Sequence, residues 1–190
     1  AANGFDNDAY TMSNGGAANP ADIRATSVSS GYTGASGLAN VYFTSTAGSY
    51  GFGIAGIDVS SYGALTLSFG YLKESSSANA TFELAYSTDG STWTPVAVSG
   101  LPAEGAATGW YLISGVSLPP AAASATLSLR WVKSGSTAMR IDDVKLVGTP
   151  SLPSFVAGFE NLAVAGTSQL VDGLTDNTTY YFRVRAEGEG

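Results

Sequence analysis

Every second residue is large and apolar in three stretches of this chain, and that rhythm leaves few folds open. In "ALTLSFGYL", Leu65, Leu67, Phe69 and Tyr71 share one phase, and Thr66, Ser68 and Gly70 share the other. In "TFELAYS", Phe82, Leu84 and Tyr86 alternate with Glu83 and Ala85. In "ATLSLRWVK", Ala125, Leu127, Leu129 and Trp131 alternate with Thr126, Ser128 and Arg130. Successive side chains of a strand point to opposite faces, so each stretch predicts a half-buried antiparallel strand. Further strands are expected over residues 23–28, 40–44, 50–57, 93–98, 110–116 and 139–147, and no window holds a helical period. The expected fold class is all-β, an antiparallel sandwich.

Composition agrees. Hydrophobic residues make up 44% and charged residues 12%, enough for a core and too few charges for a disordered chain. Twenty-four glycines suit short strands joined by tight turns. With eight basic residues, scattered, and a net charge of −7, a nucleic-acid or anionic-membrane partner is not expected. No apolar run approaches the roughly 20 residues that span a bilayer, so membrane insertion is not expected either. The opening Ala-Ala-Asn-Gly-Phe-Asp lacks a basic start and an apolar stretch, so an exported form would already have lost its signal peptide. Cysteine and histidine are both absent. That removes disulfides, thiolate metal sites and every nucleophile that relies on a histidine base. The expectation is a protein that is not an enzyme.

Ser87-Thr-Asp-Gly-Ser-Thr-Trp93 sits between two strand-like runs. Asp-Gly is a strong hairpin signal, because glycine accepts positive φ and aspartate bonds neighbouring amides. The stretch resembles the Asp-box hairpin of sialidase propellers and other secreted β proteins, with one residue fewer between Asp89 and Trp93. That resemblance implies a structural turn, with Asp89 on backbone amides and Trp93 packed against it. In "AMRIDDVKLVG", Met139 and Ile141 set one phase while Val144 and Leu146 set the other. One strand can bury all four only with an extra residue between them, which predicts a β-bulge at Asp142-Asp143. The two acids could cap a loop, pair with Arg130 or Arg140, or help bind a cation.

The order "LTLSFGYL … FELAYSTDGSTW … ATLSLRWVKSGSTAMRIDDVKLVG" resembles the jelly-roll β-sandwich modules of secreted bacterial multidomain proteins, similar to galactose-binding-like and MAM-like domains. The likeness covers about residues 5 to 148. It implies an accessory module, glycan-binding or calcium-binding in some members and without ligand in others. A fold of this kind assigns no function by itself.

After Gly148 a Pro/Ser-rich break, residues 149–154, reads as a linker. Residues 155–190 then resemble the later strands of a fibronectin type III domain: Leu174 and Tyr180 keep the spacing of a tyrosine corner. By that likeness Tyr180, Phe182, Val184 and Ala186 face a core, Tyr181, Arg183 and Arg185 face outward, and the Tyr180 hydroxyl bonds backbone just upstream. Roughly 40 residues follow Gly148, against about 100 for a whole domain of that type. The early strands would then lie before Ala1. A remnant this apolar should dock on the first domain or self-associate through residues 150–190.

Two kinds of site remain as candidates. An aromatic face stacked on a sugar ring would recruit Trp93, Trp110 or Tyr111, with Tyr32 and Tyr50 also able to contribute; core and turn packing is the alternative for each. Asp6 and Asp8, in an asparagine-rich opening, could share a structural calcium with Asp142, since hard oxygen ligands suit that ion; a solvated turn is the alternative. The expected function is a non-catalytic adhesion, binding or spacer module of a secreted or cell-surface protein, with glycan or another surface protein as partner. The alternative is an accessory module of a secreted hydrolase whose catalytic domain lies outside this chain.

Overall fold

The computed structural model describes residues 9–151 and 155–185. The chain divides into two compact units, Ala1–Ser151 and Leu152–Gly190.

The first unit is a two-sheet sandwich with one short 3-10 turn, Pro120–Ala122. One sheet holds β1 (Thr11–Ser13), β5 (Tyr50–Ile57), β10 (Leu127–Ser134), β7 (Thr81–Ser87) and β8 (Thr94–Val96) in that order, with β2 (Asn19–Pro20) parallel to β5. The other runs β3 (Asp22–Arg24), β4 (Asn40–Phe43), β11 (Met139–Pro150), β6 (Tyr62–Lys73) and β9 (Gly109–Leu118). Every pairing except β2 with β5 is antiparallel.

The predicted phases meet between the sheets. Leu65, Leu67, Phe69 and Tyr71 of β6 face Leu84 and Tyr86 of β7 and Leu127, Leu129 and Trp131 of β10 across one buried core. Trp131, fully buried, lies edge-on to Phe69 with ring centroids 5.5 Å apart and beside Phe52 at 6.2 Å. Tyr71 stacks on Phe82 from the opposite sheet at 6.0 Å. Edge-to-face and offset arrangements suit the ring quadrupole, and such pairs add about 0.5–1.5 kcal/mol beyond burial.

The bulge also forms as predicted. Asp142 pairs with Gly70 and Lys145 with Ser68, so β11 carries one residue more than its partner, and Asp143 takes a left-handed φ of 49°. Ile141 is thereby buried on one side of the bulge, and Val144 and Leu146 pack against the core on the other.

The outward positions of β5 along the pairing with β10 are small: Gly51, Gly53 and Ala55. A Cβ on Gly51 would sit 2.2 Å from the Asn14 carbonyl oxygen, and one on Gly53 2.9 Å from the Gly15 Cα. Glycine at both positions lets the turn before β2 lie flat on β5.

Some expectations shift. The strand expected over 23–28 stops at Arg24, because Ser27 turns left-handed with φ 51°. That expected over 93–98 is confined to Thr94–Val96. β11 runs through the first two residues of the expected linker to Pro150, pairing there with Tyr62.

In the second unit no strand forms among the described residues 155–185, contrary to the expected fibronectin-like strands. A strand needs a neighbouring strand for its backbone groups, and no strand pairing forms among those residues. Phe182 and Val184, expected in a core, are 67% and 94% exposed. Ala186 lies outside the described residues. The expected bond between the Tyr180 hydroxyl and backbone just upstream is present: the Thr175 amide donates to the Tyr180 hydroxyl oxygen at 2.8 Å.

Candidate functional site

Residues 25–39 form no strand and cross the outer face of the five-stranded sheet as a strap. Structureless connections longer than about 12–15 residues are uncommon in compact domains and are usually either functional or disordered linkers. This one is held by groups that the sheet supplies. Arg140, on the outward phase of β11 and 6% exposed, donates to the Thr26 carbonyl at 3.0 Å, to Asn40 Oδ1 at 3.1 Å and to Glu74 Oε1 at 2.9 Å. Asn40 Nδ2 donates to the carbonyls of Thr26 and Ser27 at 3.0 and 3.3 Å. A buried guanidinium needs its donors filled, and here Glu74, Asn40 and the strap's Thr26 carbonyl fill them.

The bulge supplies the second anchor. The Tyr32 hydroxyl donates to Asp143 Oδ2, and the Ser36 amide donates to Asp143 Oδ1 at 3.1 Å. Asp142 Oδ1 accepts the Asp143 amide at 2.9 Å. Of the roles open to the acid pair, capping a loop is the one observed; Arg140 pairs with Glu74 and Arg130 with Glu83 instead. Burial raises the Asp142 carboxyl above its ordinary pKa, and the neighbouring Asp143 charge adds to the rise. Tyr32 is raised too, by burial first and then by its bond to Asp143. Its ring lies where Gly70 leaves room: a Cβ there would come 2.1 Å from the Tyr32 hydroxyl.

Trp110 closes the strap's other margin. It stands on the outward phase of β9, opposite Leu72, and its indole N–H donates to the Ser27 carbonyl at 3.1 Å. Its ring meets Tyr32 at 6.5 Å, tilted by 54°. The result is a half-buried aromatic corner beside two carboxylates and a serine-rich loop.

The three aromatics expected for glycan binding do not converge. Tyr111 pairs with Tyr71 and so takes the inward phase at the sheet's edge, its hydroxyl donating to the Ala107 carbonyl at 2.8 Å. Trp93 lies on the other sheet, its ring under the Arg130 guanidinium at 4.4 Å, while Arg130 also holds Glu83 at 2.8 Å. The adjoining turn matches the structural reading. Asp89 Oδ1 accepts the Ser91 and Thr92 amides at 2.8 and 2.7 Å, which, with the Thr92 bond the larger contribution, pull its carboxyl well below the usual range. Tyr32, expected from the sequence only as a further contributor, is the aromatic that joins Trp110.

A cleft of about 690 Å³ opens between the sheets, lined by Met12, Ile54, Val144 and Leu146 with Asp58 and Asp142 among its polar groups. Asp6 and Asp8, the expected calcium ligands with Asp142, lie outside the described residues. Among the described residues no group of three acidic side chains is placed to hold a metal ion, so Asp142 and its neighbours do not by themselves make a calcium shell. No helix among the described residues is long and apolar enough to cross a membrane.

No family model matches the chain, and no curated protein matches it. Among solved structures it is similar to that of TmCBM61 in complex with beta-1,4-galactotriose, at 13% identity and a TM-score of 0.39, over 74% of this chain and 89% of that one.

Proposed function

We propose that this chain is a non-catalytic glycan-binding module, serving adhesion or spacing in a secreted or cell-surface protein. The carrying observation is the Tyr32–Trp110 corner at the margin of the strap. Sugar rings are bound by aromatic faces flanked by a few polar groups, and the corner supplies both kinds. The polar atoms of Tyr32 and Trp110 are spent on Asp143 and Ser27, which fixes the two rings and leaves stacking as their part in recognition. The acids Asp142 and Asp143 and the serines of the strap supply hydrogen-bond partners for sugar hydroxyls.

A glycan array on the intact chain, followed by calorimetry, tests the reading. Binding that Trp110→Ala removes and Trp93→Ala spares supports the strap. Binding that depends on Trp93 and ignores Trp110 moves the site to the opposite sheet, and a flat array ends the glycan reading. In the second reading the chain is the accessory module of a secreted hydrolase, and the same corner would then hold that enzyme's polymer.

Two parts of the proposal concern the rest of the chain. Calcium held by Asp142 with Asp6 or Asp8 would raise the melting temperature, and a chelator would lower it. Self-association through residues 150–190 would cover Leu170, Phe182 and Val184, which are 79%, 67% and 94% exposed. Light scattering of the full chain against one ending at Ser151 reads it out: equal mass per particle for both ends that part.

A further inference from the structure

Two lysines continue the inward phase of their strands, and one of them lies in an unusual setting. Lys133, fully buried near the end of β10, has no carboxylate among its hydrogen-bond partners in the described residues. Its ammonium donates to three backbone carbonyls: Thr44 at 2.7 Å, Gly135 at 2.8 Å and Thr46 at 2.9 Å. The Tyr50 ring stands 5.1 Å from the nitrogen. Burial pulls the amine's pKa down. Only the charged form, however, has three N–H groups to give three acceptors.

The carbonyls come from two separate connections. Thr44 and Thr46 belong to the crossing from β4 to β5, and Gly135 to the crossing from β10 to β11. Each crossing joins one sheet to the other. The nitrogen therefore sits where both inter-sheet connections turn, with carbonyl dipoles from each directed at it. A planar guanidinium presents its donors in a fixed fork and does not match a three-point cradle of this kind, whereas a compact ammonium does.

We propose that this junction is a receptor for a primary ammonium group, filled in the intact protein by Lys133, and that a small alkylammonium ion binds there when the side chain is cut back. The receptor clamps the two crossings together, so the cation acts as a pin through one end of the sandwich.

The test compares thermal unfolding of the full chain with Lys133→Met, Lys133→Arg and Lys133→Ala. Lys133→Met keeps the length and removes the donors, and its melting temperature should fall by roughly 5–10 °C as the three carbonyls lose their common partner and the two crossings their tie. Lys133→Arg should not restore it. Lys133→Ala should regain stability in methylammonium chloride and not in tetramethylammonium chloride of equal ionic strength, because the latter ion has no N–H. A Lys133→Met chain that melts within about 1 °C of the parent overturns the proposal. So does a Lys133→Ala chain that responds alike to both salts. Should the variants fail to fold, nitrogen NMR of the parent's lysine side chains decides. A persistent –NH3+ signal at neutral pH, assigned to Lys133 by selective exchange protection and its contact with the Tyr50 ring, supports the receptor; a neutral –NH2 signal there overturns it.

Discussion

The hydroxyl of Tyr32 donates to the carboxylate of Asp143, a residue 111 positions further along the chain. One bond thus ties the strap to the bulge of β11. Tyr32→Phe keeps the ring and loses the bond, leaving Asp143 with the Ser36 amide. The expected cost is about 1–2 kcal/mol. Hydrogen exchange should quicken over residues 25–39 while β6 and β10 keep their protection.

Burial of Tyr32, with the Asp143 bond second, predicts an alkaline dependence. The folded pKa of Tyr32 lies above its ordinary value of 10.0, so its contribution is fully present below pH 10 and is lost as the pH rises toward the folded value. The parent should lose stability above about pH 10 faster than Tyr32→Phe does, and denaturant titrations across that window read the difference. Parallel curves would show that the hydroxyl carries no such linkage.

Arg140 holds the other end of the strap together with Glu74 and Asn40. Arg140→Met leaves Glu74 without its cation and takes one donor each from the Thr26 carbonyl and Asn40 Oδ1. The expected loss is about 3 kcal/mol, in the range for breaking a buried pair from one side. The proposed glycan binding at the Trp110 corner should weaken with it, since the Thr26 carbonyl next to Ser27 would lose a donor.

Asp89 works in the opposite pH direction from Tyr32. Its folded pKa is depressed by the Thr92 and Ser91 amides, so its stabilisation is present above the ordinary value of 3.8 and is lost as the pH falls through the lower folded value. Asp89→Ala should melt earlier than the parent at pH 7, with the gap closing in strong acid. Asp89→Asn keeps one acceptor oxygen and should fall between the two.

Trp131 is fully buried and its indole nitrogen has no hydrogen-bond partner among the described residues. Trp131→Phe removes volume but also removes an unsatisfied donor, and the two effects oppose each other. The expected cost is under about 1.5 kcal/mol, against about 3–5 kcal/mol for Trp131→Ala. Chemical denaturation of both variants separates them.

The sandwich was legible because its signal is local. Alternation in β6, β7 and β10 names the inward residues directly, and the phase break between Ile141 and Val144 could be resolved only by an inserted residue. Asp89 was legible for the same reason, since its partners lie two and three residues away. The strap was not. Its anchors join Thr26 to Arg140 and Tyr32 to Asp143 across more than 100 residues, and no local pattern encodes such a meeting. β1 and β2, with three and two residues, are too short for a period to show. Lys133 did leave a trace: it falls in step with Leu127, Leu129 and Trp131, an inward place for a charge that a reading centred on apolar residues passes over.

The strap's attachments are unevenly spread. Thr26, Ser27, Ser29, Tyr32, Ser36 and Gly37 make the bonds that hold it, whereas among the described residues no side-chain bond of Ser30 or Thr33 contributes to them. Foldability and surface chemistry therefore reside in different letters of the same loop. Exchanging the second set would rewrite what the module presents to its surroundings while the first set keeps the scaffold standing, which makes this segment a natural place for diversification by selection or in a display library.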